Sequence, residues 1–78
     1  MAVMIKLRLP GHAATLAAVQ SLAGLKDLPL DSRFGVVGID PKQGLYVVRT
    51  ESLNDLEARK RLSPEIVEAY GDIRISTT

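Results

Sequence analysis

Two β-rich runs, residues 33–39 and 45–50, flank Asp40-Pro41-Lys42-Gln43-Gly44, and this stretch constrains the fold more than any other. Proline suits the second position of a type I turn, and glycine supplies a left-handed residue before the return strand. The segment is therefore read as an antiparallel hairpin. If Ile39 sits opposite Leu45, Val37 pairs with Val47 on one face, and Phe34, Val36, Tyr46 and Val48 share the other. Both faces are apolar. A hairpin of this kind must belong to a larger sheet, with one face on a core and the other meeting something else. A single bulge would swap the faces and turn Val37, Ile39, Leu45 and Val47 outward, leaving the apolar surplus unchanged.

The opening of the chain supplies a partner strand. Val3, Ile5, Leu7 and Leu9 alternate with Met4, Lys6 and Arg8, the period of a strand covered on one side. Pro10-Gly11 ends it. Residues 12–23 are alanine-rich, and Leu16, Val19 and Leu22/Ala23 recur at three- and four-residue steps, so they read as one helix stopped by Gly24. Residues 25–32 read as a connection whose leucines tuck under the domain. A second helix follows, capped by Thr50 or Ser52, with Asp55 three residues after Ser52 and with Leu53, Leu56 and the stem of Lys60 on its inner side. The last part admits several readings. Ser63-Pro64-Glu65 can start a short helix through Tyr70, since proline is welcome at a first helical position. Residues 65–70 can instead be a strand, with residues 73–76 an extended tail. Residues 73–76 can also be the last strand of the sheet, which is the preferred reading of the pattern.

Strand, helix, strand, strand, helix, strand is the order of the split βαβ, or ferredoxin-like, arrangement. The expected fold is α+β: a four-stranded antiparallel sheet with two helices on one face, in a single domain over residues 1–78.

A chain of 78 residues buries roughly 60–65% of its unfolded surface. It has no cysteine, so apolar packing, supplied by 46% apolar residues, must provide the stability. Thiolate catalysis and cysteine-bound metal are excluded. Ten basic and nine acidic side chains give a net charge of +1, which is no footprint for nucleic acid. No apolar run approaches the ~20 residues of a membrane span. The start of the chain lacks the charged and apolar regions of a secretion signal, so the cytoplasm is the default expectation.

The residues offer little for catalysis, and the chain is read as a non-enzyme. His12 is the one histidine, and it stands beside a Pro-Gly turn without a nucleophile fixed near it. The aspartates at 27, 31, 40, 55 and 72 lie where turns and caps want them, and no oxygen-dense loop suggests calcium. Gly35 and Gly38 fall inside a strand, not at a strand-to-helix turn, so they do not cradle phosphate. Residues 57–61 read as a solvated helix face with internal charge pairing. With two tyrosines and one phenylalanine, the stacked platform of RNA-binding ferredoxin-like domains is missing. No cofactor or metal is implied. What remains is the uncovered side of the sheet, a mixed apolar and basic surface of the sort that meets a partner.

The layout resembles the subtilisin propeptide and the free-standing propeptide-like inhibitors of subtilisin proteases. The resemblance rests on the opening strand Met4-Ile5-Lys6-Leu7-Arg8-Leu9, on the hairpin over residues 34–50, and on the closing stretch Leu62-Ser63-Pro64-Glu65-Ile66-Val67-Glu68-Ala69-Tyr70-Gly71-Asp72-Ile73-Arg74-Ile75. It implies a domain that packs its open sheet face on a subtilisin-like serine protease and lays its C-terminal segment in the substrate groove. Such a domain acts as an inhibitor and as a folding template. The implied partner-binding residues are Phe34, Val36, Tyr46 and Val48 on the sheet, with Ile73, Arg74, Ile75, Ser76, Thr77 and Thr78 as the tail. The connection over residues 25–32 is long for this family, and a last strand at 73–76 would leave almost no tail. Two alternatives stand beside this reading. One is a homodimer that pairs through the sheet face and binds a small ligand. The other is a small dimeric ferredoxin-like enzyme with His12 as its base.

Overall fold

A computed structural model describes residues 2–51 and 53–71. Four strands, β1 (Val3–Arg8), β2 (Val37–Asp40), β3 (Leu45–Thr50) and β4 (Ile66–Gly71), form one antiparallel sheet in the order β2-β3-β1-β4. Helix α1 (Leu16–Gln20) lies between β1 and β2, and α2 (Leu56–Leu62) between β3 and β4. This is the expected α+β, ferredoxin-like arrangement.

The alternation of β1 decides which side is the core. Ile5, Leu7 and Leu9 are buried and join Val48 of β3 and Ile66 of β4 in one cluster. Val19 of α1 and Leu25 and Leu28 of the connection complete it, with Leu53 and Leu56 packed against it at α2. Both helices therefore cover the same side of the sheet. Leu25 and Leu28 tuck under the domain as the sequence implies.

The first helix is shorter than the alanine-rich run suggests. Residues 11–13 form a separate 3-10 turn, and Thr15 is extended, with its Oγ1 accepting the amide of Ala18 at 3.2 Å. A threonine satisfies a helix start better than it continues a helix, so the run breaks at Thr15. After Gln20 the chain proceeds through successive turns. The second helix starts at Leu56 behind Asp55, a non-glycine residue at φ 48°, which makes no side-chain cap bond. Thr50 is not a cap: it lies in β3, fully buried, and its hydroxyl donates to the carbonyl of Pro29 at 3.1 Å. Ser52 lies outside the described residues.

The fourth strand is the earlier of the two candidate segments. Residues 66–71 pair with β1, so no helix runs from Ser63 to Tyr70. Ser63 instead ends α2, and the amide of Ile66 bonds its carbonyl at 3.0 Å. Ile66 enters the core and Ala69 packs against it while Glu68 and Tyr70 are exposed. Burial of this face outweighs the helix-start signal of Pro64. Residues 73–76 lie outside the described residues.

Each edge strand carries an irregularity. In the hairpin Val37 pairs with Val47 as expected, but the register shifts after Gly38, so Asp40 and not Ile39 stands opposite Leu45. Between β1 and β4, Lys6 faces Glu68 and Leu7 faces Ile66, which leaves Val67 as the extra residue. The hairpin turn is one 3-10 turn, Pro41–Gln43, closed by Gly44 at φ 74°. A Cβ at Gly44 would stand 2.8 Å from the Leu9 carbonyl oxygen, so the turn needs glycine for space as well as for conformation.

Candidate interaction surface

Directly opposed residues of an antiparallel pair share a face. The side of the sheet away from the helices therefore presents three rows. Tyr70, Met4 and Arg49 form the first, and Glu68, Lys6, Val47 and Val37 the second. Arg8, Leu45 and Asp40 form the third. Val37 and Tyr70 are 41% and 38% exposed, and the bulged edge residues Ile39 and Val67 are 48% and 36% exposed. Val47, flanked in its row by Lys6 and Val37, keeps only 2%.

The charges on this face are largely paired within the chain. Lys6 Nζ lies 3.0 Å from Glu68 Oε2 across the β1–β4 ladder. Arg49 Nη1 donates to Asp31 Oδ2 at 2.8 Å, and Asp31 Oδ1 accepts the amides of Arg33 and Phe34 at 2.9 and 3.2 Å. The Arg49 guanidinium, followed by the two amides, holds the Asp31 carboxyl below the usual carboxylate range. Lys6 and Arg49, in the first two rows, therefore have partners already and can be covered by another protein without stranding their charge, while Arg8 stands exposed in the third row. The apolar residues of the face then supply the contact.

The hairpin residues chosen from sequence lie on the other side. Val48 is fully buried in the core, and Val36 and Tyr46 pack against that core. Phe34 is half-buried in the turn ahead of β2. The reason is the register: β1 places Ile5 and Leu7 opposite Val48 and Tyr46, and the buried side of β1 takes its cross-strand partners with it. The outward set is the alternative one, with Val37, Ile39 and Leu45 joined by Met4 and Tyr70. Ile73, Arg74, Ile75, Ser76, Thr77 and Thr78 lie outside the described residues. His12 is exposed in the turn after β1. Among the described residues, no three His, Asp or Glu side chains gather to hold a metal ion. No described helix is long and apolar enough to cross a membrane.

A second polar centre escapes the sequence reading. Arg59 is buried at 9% exposure, although residues 57–61 read as a solvated face. Its Nη1 and Nη2 donate to Asp27 Oδ1 and Oδ2 at 2.7 and 3.0 Å. Nη1 also donates to the Gly24 carbonyl at 2.9 Å, Nε to the Asn54 carbonyl at 2.8 Å, and Nη2 to Asn54 Oδ1 at 2.8 Å. Ser63 Oγ accepts the Gly24 amide at 2.7 Å. The arginine fork saturates its donors and pins the connection to both ends of α2. The hydrogen bond from Arg59 holds the Asp27 carboxyl below its ordinary value. The available signal was spacing: Leu56, Arg59 and Ser63 recur at three- and four-residue steps and share the inner stripe of α2.

Beside this centre, a cleft of about 320 Å³ is lined by Ala23, Lys26, Asp27, Asp55, Ala58, Arg59 and Leu62. Two of its charged groups, Asp27 and Arg59, pair with each other in holding the fold, which leaves Lys26 and Asp55 as the other charged lining residues, too few to mark a ligand. The sheet face is the better candidate. Compared with known proteins, the chain matches no family model, no curated protein and no solved structure.

Proposed function

We propose that the chain is a protein-binding module of the propeptide-inhibitor kind, which docks on a subtilisin-like serine protease through the outward face of its sheet. The observation that supports this reading is the one-sided cover of the sheet. Both helices lie on the core side, and the opposite side presents Val37, Ile39, Leu45, Met4 and Tyr70 beside the internally paired Lys6 and Arg49. The position of β4 also favours it. β4 is formed by Ile66–Gly71, so the fourth strand is supplied by residues ahead of 72–78, and that closing segment is the part assigned here to a substrate groove by strand addition.

The test is hydrolysis of a peptide substrate by a subtilisin-type protease with increasing amounts of the chain. Progressive slowing is expected. Val37→Glu, on the exposed face, should raise the inhibition constant by about tenfold or more, as expected for a charge placed inside a docked apolar contact. Removal of Ser76, Thr77 and Thr78 should abolish the slowing. A protease that runs at full rate with excess chain present would end this reading. Inhibition untouched by both changes would remove the sheet face and the tail from it. Sedimentation of the free chain tests the homodimer: a dimer mass that collapses to monomer in Val37→Glu would assign the face to a second copy instead.

A further inference from the structure

Residues 21–36, between α1 and β2, contain turns and a single bridge, yet they send Leu25 and Leu28 into the core. Gln20 organises the first half, its Nε2 donating to the carbonyls of Leu25 and Leu28 at 2.8 and 2.7 Å. Two outer attachments fix the segment to its neighbours. The first ties it to α2, through Arg59 on the Gly24 carbonyl and the Asp27 carboxylate, and through Ser63 on the Gly24 amide. The second ties it to β3, where the Asp31 amide bonds the Arg49 carbonyl at 2.7 Å, Leu30 bridges Thr50, and Arg49 pairs with the Asp31 carboxylate. In both attachments the segment supplies the carboxylate and a different element supplies the arginine.

We propose that residues 21–36 are an acid-released strap: protonation of Asp27 and Asp31 loosens it from α2 and from β3 while the four-stranded sheet remains paired. The sheet's ladders are backbone hydrogen bonds, which do not titrate, whereas each end of the strap adds to its backbone bonds a carboxylate–arginine pair, which does. The charged groups around Asp27 are Arg59 of α2, its neighbour Lys26, and Asp55 at the start of α2 across the shared cleft. Around Asp31 they are Arg49 of β3 and the adjacent Arg33, whose amide it accepts. Both carboxyls are held below the ordinary value of 3.8 in the folded chain. Their contribution is therefore complete above that value and is lost as the pH falls through their lowered folded values, so the release lies in the acid range below about pH 4. The inference concerns the fold and stands independently of the proposed protease partner.

Amide hydrogen exchange read by NMR decides it. Between pH 5 and pH 3, after correction for intrinsic rates, protection at Gly24, Asp31 and Gly35 should fall by about three- to sevenfold relative to the amides of β1 and β3, the most that one carboxyl of ordinary value 3.8 can supply at each end. In the Asp27→Asn/Asp31→Asn double variant that ratio should stay within about twofold over the same range. Asp31→Asn alone should leave the pH dependence at Gly24 and remove it at Gly35, whose amide bonds the residue 31 carbonyl. Strap and sheet amides of the unaltered chain losing protection together, or a strap-to-sheet ratio that ignores pH, would overturn the proposal.

Discussion

Gly24→Ala should destabilise the domain even though the backbone there accepts an alanine. Gly24 is buried between the connection and α2, and a Cβ on it would stand 2.5 Å from the Arg59 carbonyl oxygen and 3.1 Å from Ser63 Oγ. Real Cβ atoms essentially never come within 3.0 Å of such a neighbour, so something must move by at least half an ångström. The Arg59 carbonyl cannot yield easily, because it accepts the Ser63 amide at 2.8 Å. Moving Gly24 instead stretches its amide bond to Ser63 Oγ and its carbonyl bond from Arg59, now 2.7 and 2.9 Å. Overpacking of this kind costs about 1–3 kcal/mol, and weakening two buried hydrogen bonds adds about 1 kcal/mol. The stiffer unfolded chain returns only about 0.4–1 kcal/mol. The clash wins, by about 2–3 kcal/mol, in a domain whose whole margin is on the order of 5 kcal/mol. For a domain of this size that lowers Tm by about 10–20 °C. Urea unfolding followed by circular dichroism measures it, with Gly11→Ala as the control, since a Cβ at Gly11 meets nothing within 4 Å. If the two variants unfold at the same urea concentration, the close approach of the connection to α2 is wrong.

Leu25→Ala, which empties a fully buried site, should cost about 2–5 kcal/mol in the same urea assay, whereas Leu62→Ala, at a residue 62% exposed, should stay within about 0.5 kcal/mol. Equal effects would show that the connection is not part of the core. Gly44→Ala should cost about 2–3 kcal/mol, because it combines a left-handed residue at φ 74° with a 2.8 Å approach to the Leu9 carbonyl oxygen; unchanged thermal unfolding would refute the turn geometry. Val37→Glu should leave thermal stability within about 0.5 kcal/mol, since Val37 is exposed, so that any loss of protease inhibition by it reports on contact and not on folding.

The sheet was legible because its signals are local and repeated. The alternation of residues 3–9 fixes a strand and its buried side, and Pro41 with Gly44 fixes a turn. The side of the hairpin that faces the core was harder to read. Both its faces are apolar, and β1 decides between them through pairings distant in sequence, Ile5 with Val48 and Leu7 with Tyr46. The last strand was obscured by Pro64, which suits a helix start, while the demand for Ile66 in the core is set by Leu7 across the ladder. Arg59 was hidden for a related reason. A charged residue in a charged run looks solvated until Asp27, Asn54 and Gly24 are brought round it by the fold. The candidate surface was legible as an apolar surplus, but not as a set of residues.

The irregular rims of the sheet decide how this chain can associate. Ile39 at one rim and Val67 at the other each add a residue that the neighbouring strand does not match. A kinked rim breaks the even spacing of amides and carbonyls that a foreign strand would need in order to extend the sheet. Growth by lateral stacking of one sheet onto the next, the route to fibrils, is obstructed at both margins. An apolar sheet face can thus lie open between two margins that offer a poor template to another copy's strand.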